Sequence, residues 1–327
     1  MKEQYKKWMA LAVIILAAVL PLIIANDYIL RVLIVTGVFI VLTLSLNLVT
    51  GFTGQFCLGW AAFYGIGAYT SALLAMKLNF SFWLAMPLGG LLAALFGVLL
   101  GIPTMRLKDI YLAITTLGFG EIIRLIMLNW TDLTRGSMGL PGIPAPKLFS
   151  YEFDSNIPYY YLILALVLLT VFAVRRLINS RIGRAFIAIR EDDLAAKTMG
   201  IDITAYKILS FAIGAFFAGI AGSFYAHYTS YIDPHTFSFM ESISILAMVV
   251  LGGTGSITGS VIGAVVLSII PELLRGLSEY RMVIFGLIMM VVMLVRPQGI
   301  MGKGRESGKG PGRSRKRGGG LVEHARN

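Results

Sequence analysis

The sequence predicts an all-α fold: a polytopic transmembrane helical bundle of about 8–10 spans, with broken or re-entrant helices and both termini cytoplasmic. Three observations predict it. Of 327 residues, 57% are hydrophobic and 14% charged, against roughly 45–50% and 25% for a soluble domain. Apolar runs close to the ~20 residues that cross a hydrocarbon core recur along the chain. Two glycine clusters interrupt those runs, at 51–67 and 252–263.

Ten segments fit the length and polarity of a span: 8–25, 28–49, 57–76, 82–101, 110–128, 158–175, 206–227, 237–251, 257–274 and 282–295. The first follows Lys2, Lys6 and Lys7 and resembles a secretory signal, but it lacks a small-x-small cleavage site and reads as a retained helix. The eighth is short and is followed by Gly252-Gly253-Thr254-Gly255-Ser256, so the eighth and ninth together suit a broken or re-entrant pair.

Basic loops stay in the cytoplasm, which fixes the orientation. With the N-terminus inside, 21 Lys and Arg residues fall on the inner side and 6 on the outer, with Arg124 left inside a span. Nine of the inner ones lie from Arg296 onward and carry much of the net charge of +11. Residues 1–301 therefore read as one membrane domain, and 302–327 as a disordered basic cytoplasmic tail. With no aromatics interleaved among its basic residues, the tail suits anionic lipid of the bilayer and not nucleic acid.

Two loops are long enough to meet other proteins. The outer one, 129–157, holds Gly136, Gly139, Gly142, Pro141, Pro144 and Pro146, a composition that disfavours helix or strand and suits an irregular lid. In the inner one, Arg181, Gly183, Arg184 and Phe186 lead into 188–199. There Ile189, Ala195, Ala196 and Met199 recur at helical spacing, and Gly200 offers a C-cap. Arg190 and Glu191 belong to the same stretch, a short amphipathic helix exposed to a partner.

Paired interruptions are how transporters place freed backbone around a central path, while close helix packing is the blander use of small residues. Gly51, Gly54 and Gln55 in one cluster and Gly252, Gly253 and Gly255 in the other are the candidates for hinge or pathway. Thr115, Thr116 and Glu121 join them on polarity within a span. Glu121 and Arg124 stand three apart and can neutralise each other on one helical face, with Glu272 and Arg275 repeating the spacing near a span end.

Enzyme classes find no support. The lone Cys57 has no His or Cys at ligand spacing, and His227 and His235, which flank an outer loop and suit the membrane interface, lack a third ligand. Neither Gly302-Lys303 nor Gly308-Lys309 is followed by Ser or Thr, so no phosphate-binding loop is present, and no cofactor or metal is expected. ATP, where it drives this chain, is hydrolysed on another subunit.

Several long stretches then become recognisable: Gly54 to Gly59, Ala61 to Tyr69, Tyr111 to Glu121, Arg181 to Gly200, Ala247 to Gly253, and Arg296-Pro297-Gln298-Gly299. Together they resemble the LivM type of branched-chain amino acid ABC transporter permease, over about residues 28–301. The resemblance implies a cell-membrane import subunit working by alternating access. Its implied partners are a second homologous permease, two cytoplasmic ABC ATPases and an extracytoplasmic substrate-binding protein. The family's coupling motif Glu-Ala-Ala-x-x-x-Gly falls on Leu194 to Gly200, with Leu194 in place of Glu. Cys57 and Trp60 also depart from the family's frequent Ser and His. Two other readings stay open: an ABC permease for urea or short amides, and a proton-coupled secondary transporter with Glu121 as carrier.

Overall fold

The computed structural model describes residues 15, 17–21, 26–104, 107, 109–148, 151–273, 286 and 299–301. The spans expected at 8–25 and 282–295, the tail 302–327, and the Glu272–Arg275 pair (through Arg275) lie wholly or largely outside them.

Helix α1 (Asp27–Asn47) starts at Asn26, whose side-chain oxygen accepts the Tyr28 N–H at 3.0 Å. It passes into a buried π turn, Leu48–Phe52, so the helical path continues through Gly51 instead of ending at residue 49. Gly54, at φ +76°, then turns the chain, a conformation glycine adopts without steric cost. Residues 53–59 are not helical, and α2 (Trp60–Leu78) begins at Trp60, not at Cys57. At that start Gly59 lies directly on the Thr116 carbonyl, an approach that no side chain would permit.

Next come α3 (Phe82–Thr104), α4 (Asp109–Asn129), α5 (Asn156–Ile178), the surface helices α6 (Arg181–Glu191) and α7 (Asp193–Thr198), and the long α8 (Ile203–Thr229). A hairpin of α9 (Phe239–Gly252) and α10 (Ile257–Leu273) ends the described helices. Among the described residues, five helical stretches are long and apolar enough to cross a membrane: α1 with its π turn, α3, α4, α5 and α8. At 1.5 Å per residue α9 spans about 21 Å, short of the ~30 Å hydrocarbon core. Gly252 packs on Gly259 and Gly263 on the Met248 carbonyl, so the two arms run antiparallel at backbone contact, matching the broken pair expected there.

The core is organised around α8, which lies against both α2 and α3. Gly67 rests on Gly219, Gly222 on the Tyr64 carbonyl and Gly89 on Ser223; a methyl group at any of them would collide. Without a hydrophobic drive between helices in lipid, this close approach is what gives dispersion contacts and short polar links their strength. Ser223 supplies such a link, its hydroxyl lying 3.1 Å from the Gly67 carbonyl and 2.9 Å from that of Gly219. Trp60, Phe63, Phe211 and Phe224 fill the spaces alongside.

The loop 129–157 is more ordered than an irregular lid. One helical turn, Thr131–Thr134, and a 3-10 turn, Gly136–Met138, lead to β1 (Leu140–Pro141), which pairs antiparallel with β4 (Tyr231–Ile232). Strands β2 (Lys147–Leu148) and β3 (Tyr151–Glu152) form a second small ladder. His227 is not interfacial but 1% exposed. Its Nδ1 donates to the Pro144 carbonyl at 2.7 Å, which leaves Nε2 of the neutral ring to accept from the Ser71 hydroxyl at 2.9 Å. One buried imidazole thus fastens the loop to both α2 and α8.

Candidate functional site

Two ends of the bundle are distinct. Segments 79–83, 130–148, 151–153 and 228–237 gather at one, tied by Trp83 Nε1 to the Lys147 carbonyl and by the β1–β4 ladder. The π turn, the α9–α10 connection, α6 and residues 299–301 gather at the other. There the Ile300 and Met301 N–H groups donate to the Leu251 and Gly252 carbonyls, satisfying the open end of α9, and Gly299, at φ +80°, packs on Gly253.

At this second end the two glycine clusters meet. Asn47 joins them: its Oδ1 accepts the Gly255 N–H at 2.9 Å and its Nδ2 donates to the Ser256 carbonyl at 3.1 Å. Gly51 packs beside Asn47 and the Gly255 amide, while Gly253 and Gly255 turn the chain at φ +111° and +78°. Arg190 of α6 enters the same spot, donating to the Gly51 carbonyl, with its stem against Gly54 and its guanidinium against Gly255.

The non-helical 53–59 segment lies among transmembrane helices, where unpaired polar groups are costly. Several groups in it and just after it find partners. The Gln55 N–H donates to the Val49 carbonyl, and its side-chain Nε2 to Ser210 Oγ at 3.0 Å. The Leu58 N–H donates to Thr116 Oγ1 at 3.0 Å, and the Ala61 N–H to Ser242 Oγ at 2.9 Å. Trp60 keeps a polar role, its Nε1 donating to Ser45 Oγ at 2.9 Å. Gln55 and Thr116 are therefore buried and partnered instead of facing open space. Ser45, Asn47, Ser210 and Ser242 complete the arrangement and were missed from the sequence; a polar residue inside an apolar span was the available signal.

Thr115, Glu121 and Arg124 lie elsewhere, on α4. Thr115 turns its hydroxyl back to the Tyr111 carbonyl. Arg124 Nε lies 3.1 and 3.0 Å from the two Glu121 oxygens, the neutralising pair expected from the spacing. The pair is not enclosed: 39% of the Glu121 side chain and 20% of the Arg124 side chain remain exposed. Nothing approaches the Cβ position of Gly118, one turn away.

The surface element differs from the single helix expected over 188–199. It breaks at Asp192, which is extended (φ −158°) and whose carboxylate accepts the Leu194 and Ala195 N–H groups at 2.8 and 3.0 Å. A capping Asp starts a new helix more favourably than it continues an old one. Helix α6 begins likewise at Ser180, whose hydroxyl accepts from Ile182 at 3.2 Å and Gly183 at 3.4 Å. Gly183, Ala185, Phe186 and Ile189 are its buried face, Gly183 lying directly on Ile178, and Arg181, Arg184, Arg190 and Glu191 are exposed.

In α7 only Ala196 is buried. Ala195 and Met199 point outward with Leu194; Met199 is 82% exposed and Leu194 73%. Gly200 closes α7 as expected. At φ +80° it donates to the Lys197 carbonyl while Ile201 donates to that of Ala196, the paired bonds of a Schellman cap. Lys207 Nζ to Asp193 Oδ2, at 2.8 Å, anchors α7 to α8.

Among the described residues no group of three His, Cys, Asp or Glu side chains could hold a metal. Buried interrupted helices inside a multi-pass apolar bundle, with no catalytic cluster beside them, define a transport permease of the membrane. Residues 28–293 match the family described as branched-chain amino acid transport system / permease component, and the chain belongs to it. It is 38% identical, over 90% of this chain and 75% of the relative, to the high-affinity branched-chain amino acid transport system permease protein LivM of Salmonella typhimurium. Identity to the protein of the same description in Escherichia coli is 39% with the same coverage. The LivH permease protein of Salmonella typhimurium is 28% identical over 81% of this chain and 91% of its own length. No solved structure matches.

Proposed function

We propose that this chain is the membrane subunit of an importer of branched-chain aliphatic amino acids. It pairs with a second, homologous permease, receives substrate from an extracytoplasmic binding protein at the 129–157 end, and is driven by two ATPase chains docked on α6 and α7. The relatives support this reading through their names, which give branched-chain amino acid transport to permease proteins of both a LivM and a LivH type. The observation that carries it is the α6–α7 surface, with its apolar Leu194, Ala195 and Met199 facing outward among charged residues of both signs.

Under this reading the Arg190 end is cytoplasmic, residues 1–301 are the permease domain, and the tail anchors to anionic lipid. The exposed face of α4, with Thr115, Gly118 and the Glu121–Arg124 pair, borders the path shared with the second permease. A charge left against hydrocarbon costs about 2.5–3.5 kcal/mol, so this pair belongs beside water or protein.

The test is reconstitution of the full complex in proteoliposomes, measuring uptake of labelled L-leucine and binding-protein-stimulated ATP hydrolysis. Charged, bulky replacement of Ala195 and Gly200 is expected to lose ATPase recovery; unchanged recovery rejects the docking site. Uptake of urea but not L-leucine would reassign the substrate. Uptake that survives ATP depletion and collapses with an uncoupler would favour Glu121 as a proton carrier.

A further inference from the structure

Resting on that reading of α6 and α7, we infer that Arg190 is the positioning residue that ties motor movement to the interrupted helices, acting as a rod through which α6 moves both glycine breaks together. Three contacts of one side chain carry it. The guanidinium donates to the Gly51 carbonyl in the π turn, lies against Gly255 in the α9–α10 connection, and its aliphatic stem covers Gly54. These sites belong to the two glycine breaks, some 200 residues apart in the chain, and Asn47 already fastens the breaks to each other through Gly255 and Ser256.

The glycines explain why the side chain fits. A Cβ at Gly255 would strike the Arg190 guanidinium, and one at Gly51 would strike Asn47. Both positions are therefore kept bare for this convergence, and Gly54 and Gly255 additionally need positive φ. Arginine suits the position because its planar, multi-donor head bonds a carbonyl while its long stem packs. Among the described residues, Arg184 of the same helix bonds the neighbouring Asn179 carbonyl, at 3.4 Å, and not the breaks. Phe186, one turn before Arg190 and on nearly the same face, packs against Tyr206 of α8 with ring centroids 6.2 Å apart, which seats this face of α6 on the bundle. A displacement of α6 by a docked ATPase thus pulls on the Gly51 carbonyl and on the α9–α10 connection in one step.

The experiment uses the complete transporter in proteoliposomes, with labelled L-leucine and its binding protein, and reads L-leucine moved per ATP hydrolysed. Arg190→Ala is expected to leave complex recovery intact and lower that ratio at least tenfold, with ATP hydrolysis persisting; Arg190→Lys falls between. Leu95→Ala, at a 61% exposed position on α3, serves as the control and keeps the wild-type ratio.

A second variant tests the link itself. A Cβ at Gly54 would lie 3.6 Å from that of Arg190, close to the ~3.8 Å of a disulfide. In a Cys57→Ser background, Gly54→Cys with Arg190→Cys is expected to be uncoupled when reduced and recoupled when oxidised, since the bond replaces the rod. An unchanged ratio in Arg190→Ala overturns the inference, and so does transport blocked by oxidation, because α6 and the break would then have to slide past each other. A wild-type complex that moves no L-leucine would instead sink the proposed function; the link is then read with the solute the complex does move, and an unchanged ratio in Arg190→Ala overturns it there too.

Discussion

A single methyl group distinguishes the tight from the open positions in this bundle. Gly222 touches the Tyr64 carbonyl where α8 crosses α2, and Gly118 on α4 has nothing within 4 Å. Gly222→Ala is therefore expected to cost about 1–3 kcal/mol, as overpacking does, read as a lower thermal unfolding midpoint in detergent. Gly118→Ala should be neutral or stabilising by up to ~1 kcal/mol, since alanine is the better helix former. A lower L-leucine uptake in a fully stable Gly118→Ala protein would place that face on the path. His227 makes a different prediction. Its replacement by Ala strips partners from both Ser71 and the Pro144 carbonyl, each a buried group worth about 1–3 kcal/mol when left unsatisfied. Residues 136–147 should then exchange amide hydrogens faster, while exchange in α6 stays unchanged.

At the scale of elements, α7 is the weak point. Six residues cannot hold a helix unaided, so its form depends on the Asp192 cap, the Gly200 turn and the Lys207–Asp193 pair. Asp192→Ala should remove about 1 kcal/mol of that support and reduce ATPase recovery, whereas Asp192→Asn, also a good cap, should retain it. Elements such as this show what the sequence could and could not reveal. The long helices followed from hydropathy, because their apolar length is a local property. Gly200 was readable as a cap for the same reason, and Glu121 with Arg124 from spacing alone. The π turn at Leu48–Phe52 was not, since hydropathy continues unbroken through it. The start of α2 was hidden because Cys57 and Leu58 are apolar, and the Leu58 N–H is taken by the distant Thr116 hydroxyl. Strand β1 pairs with a segment some 90 residues further on, beyond the reach of any local pattern. The split at Asp192 was legible in principle, an acid before a new turn, but the run of alanines beyond it suggested one continuous helix.

For the molecule as a whole, the orientation is open to direct test. Met138 and Met199 sit at opposite ends and are 83% and 82% exposed, so each tolerates a labelled cysteine. In a Cys57→Ser background, Met138→Cys should react with a membrane-impermeant maleimide on intact cells, and Met199→Cys only after permeabilisation; the reverse pattern would invert the topology. The 53–61 stretch, at the Arg190 end, takes its bonding partners from far along the chain. Thr116 lies on α4, Ser210 on α8 and Ser242 on α9. During synthesis, then, the Gln55 side-chain amide and the Ala61 N–H enter the bilayer before their partners Ser210 and Ser242 have emerged from the ribosome. Early insertion must be provisional, with 53–59 held near water or a chaperoning surface, and chains truncated before Ser210 should be recognised and degraded by membrane proteases.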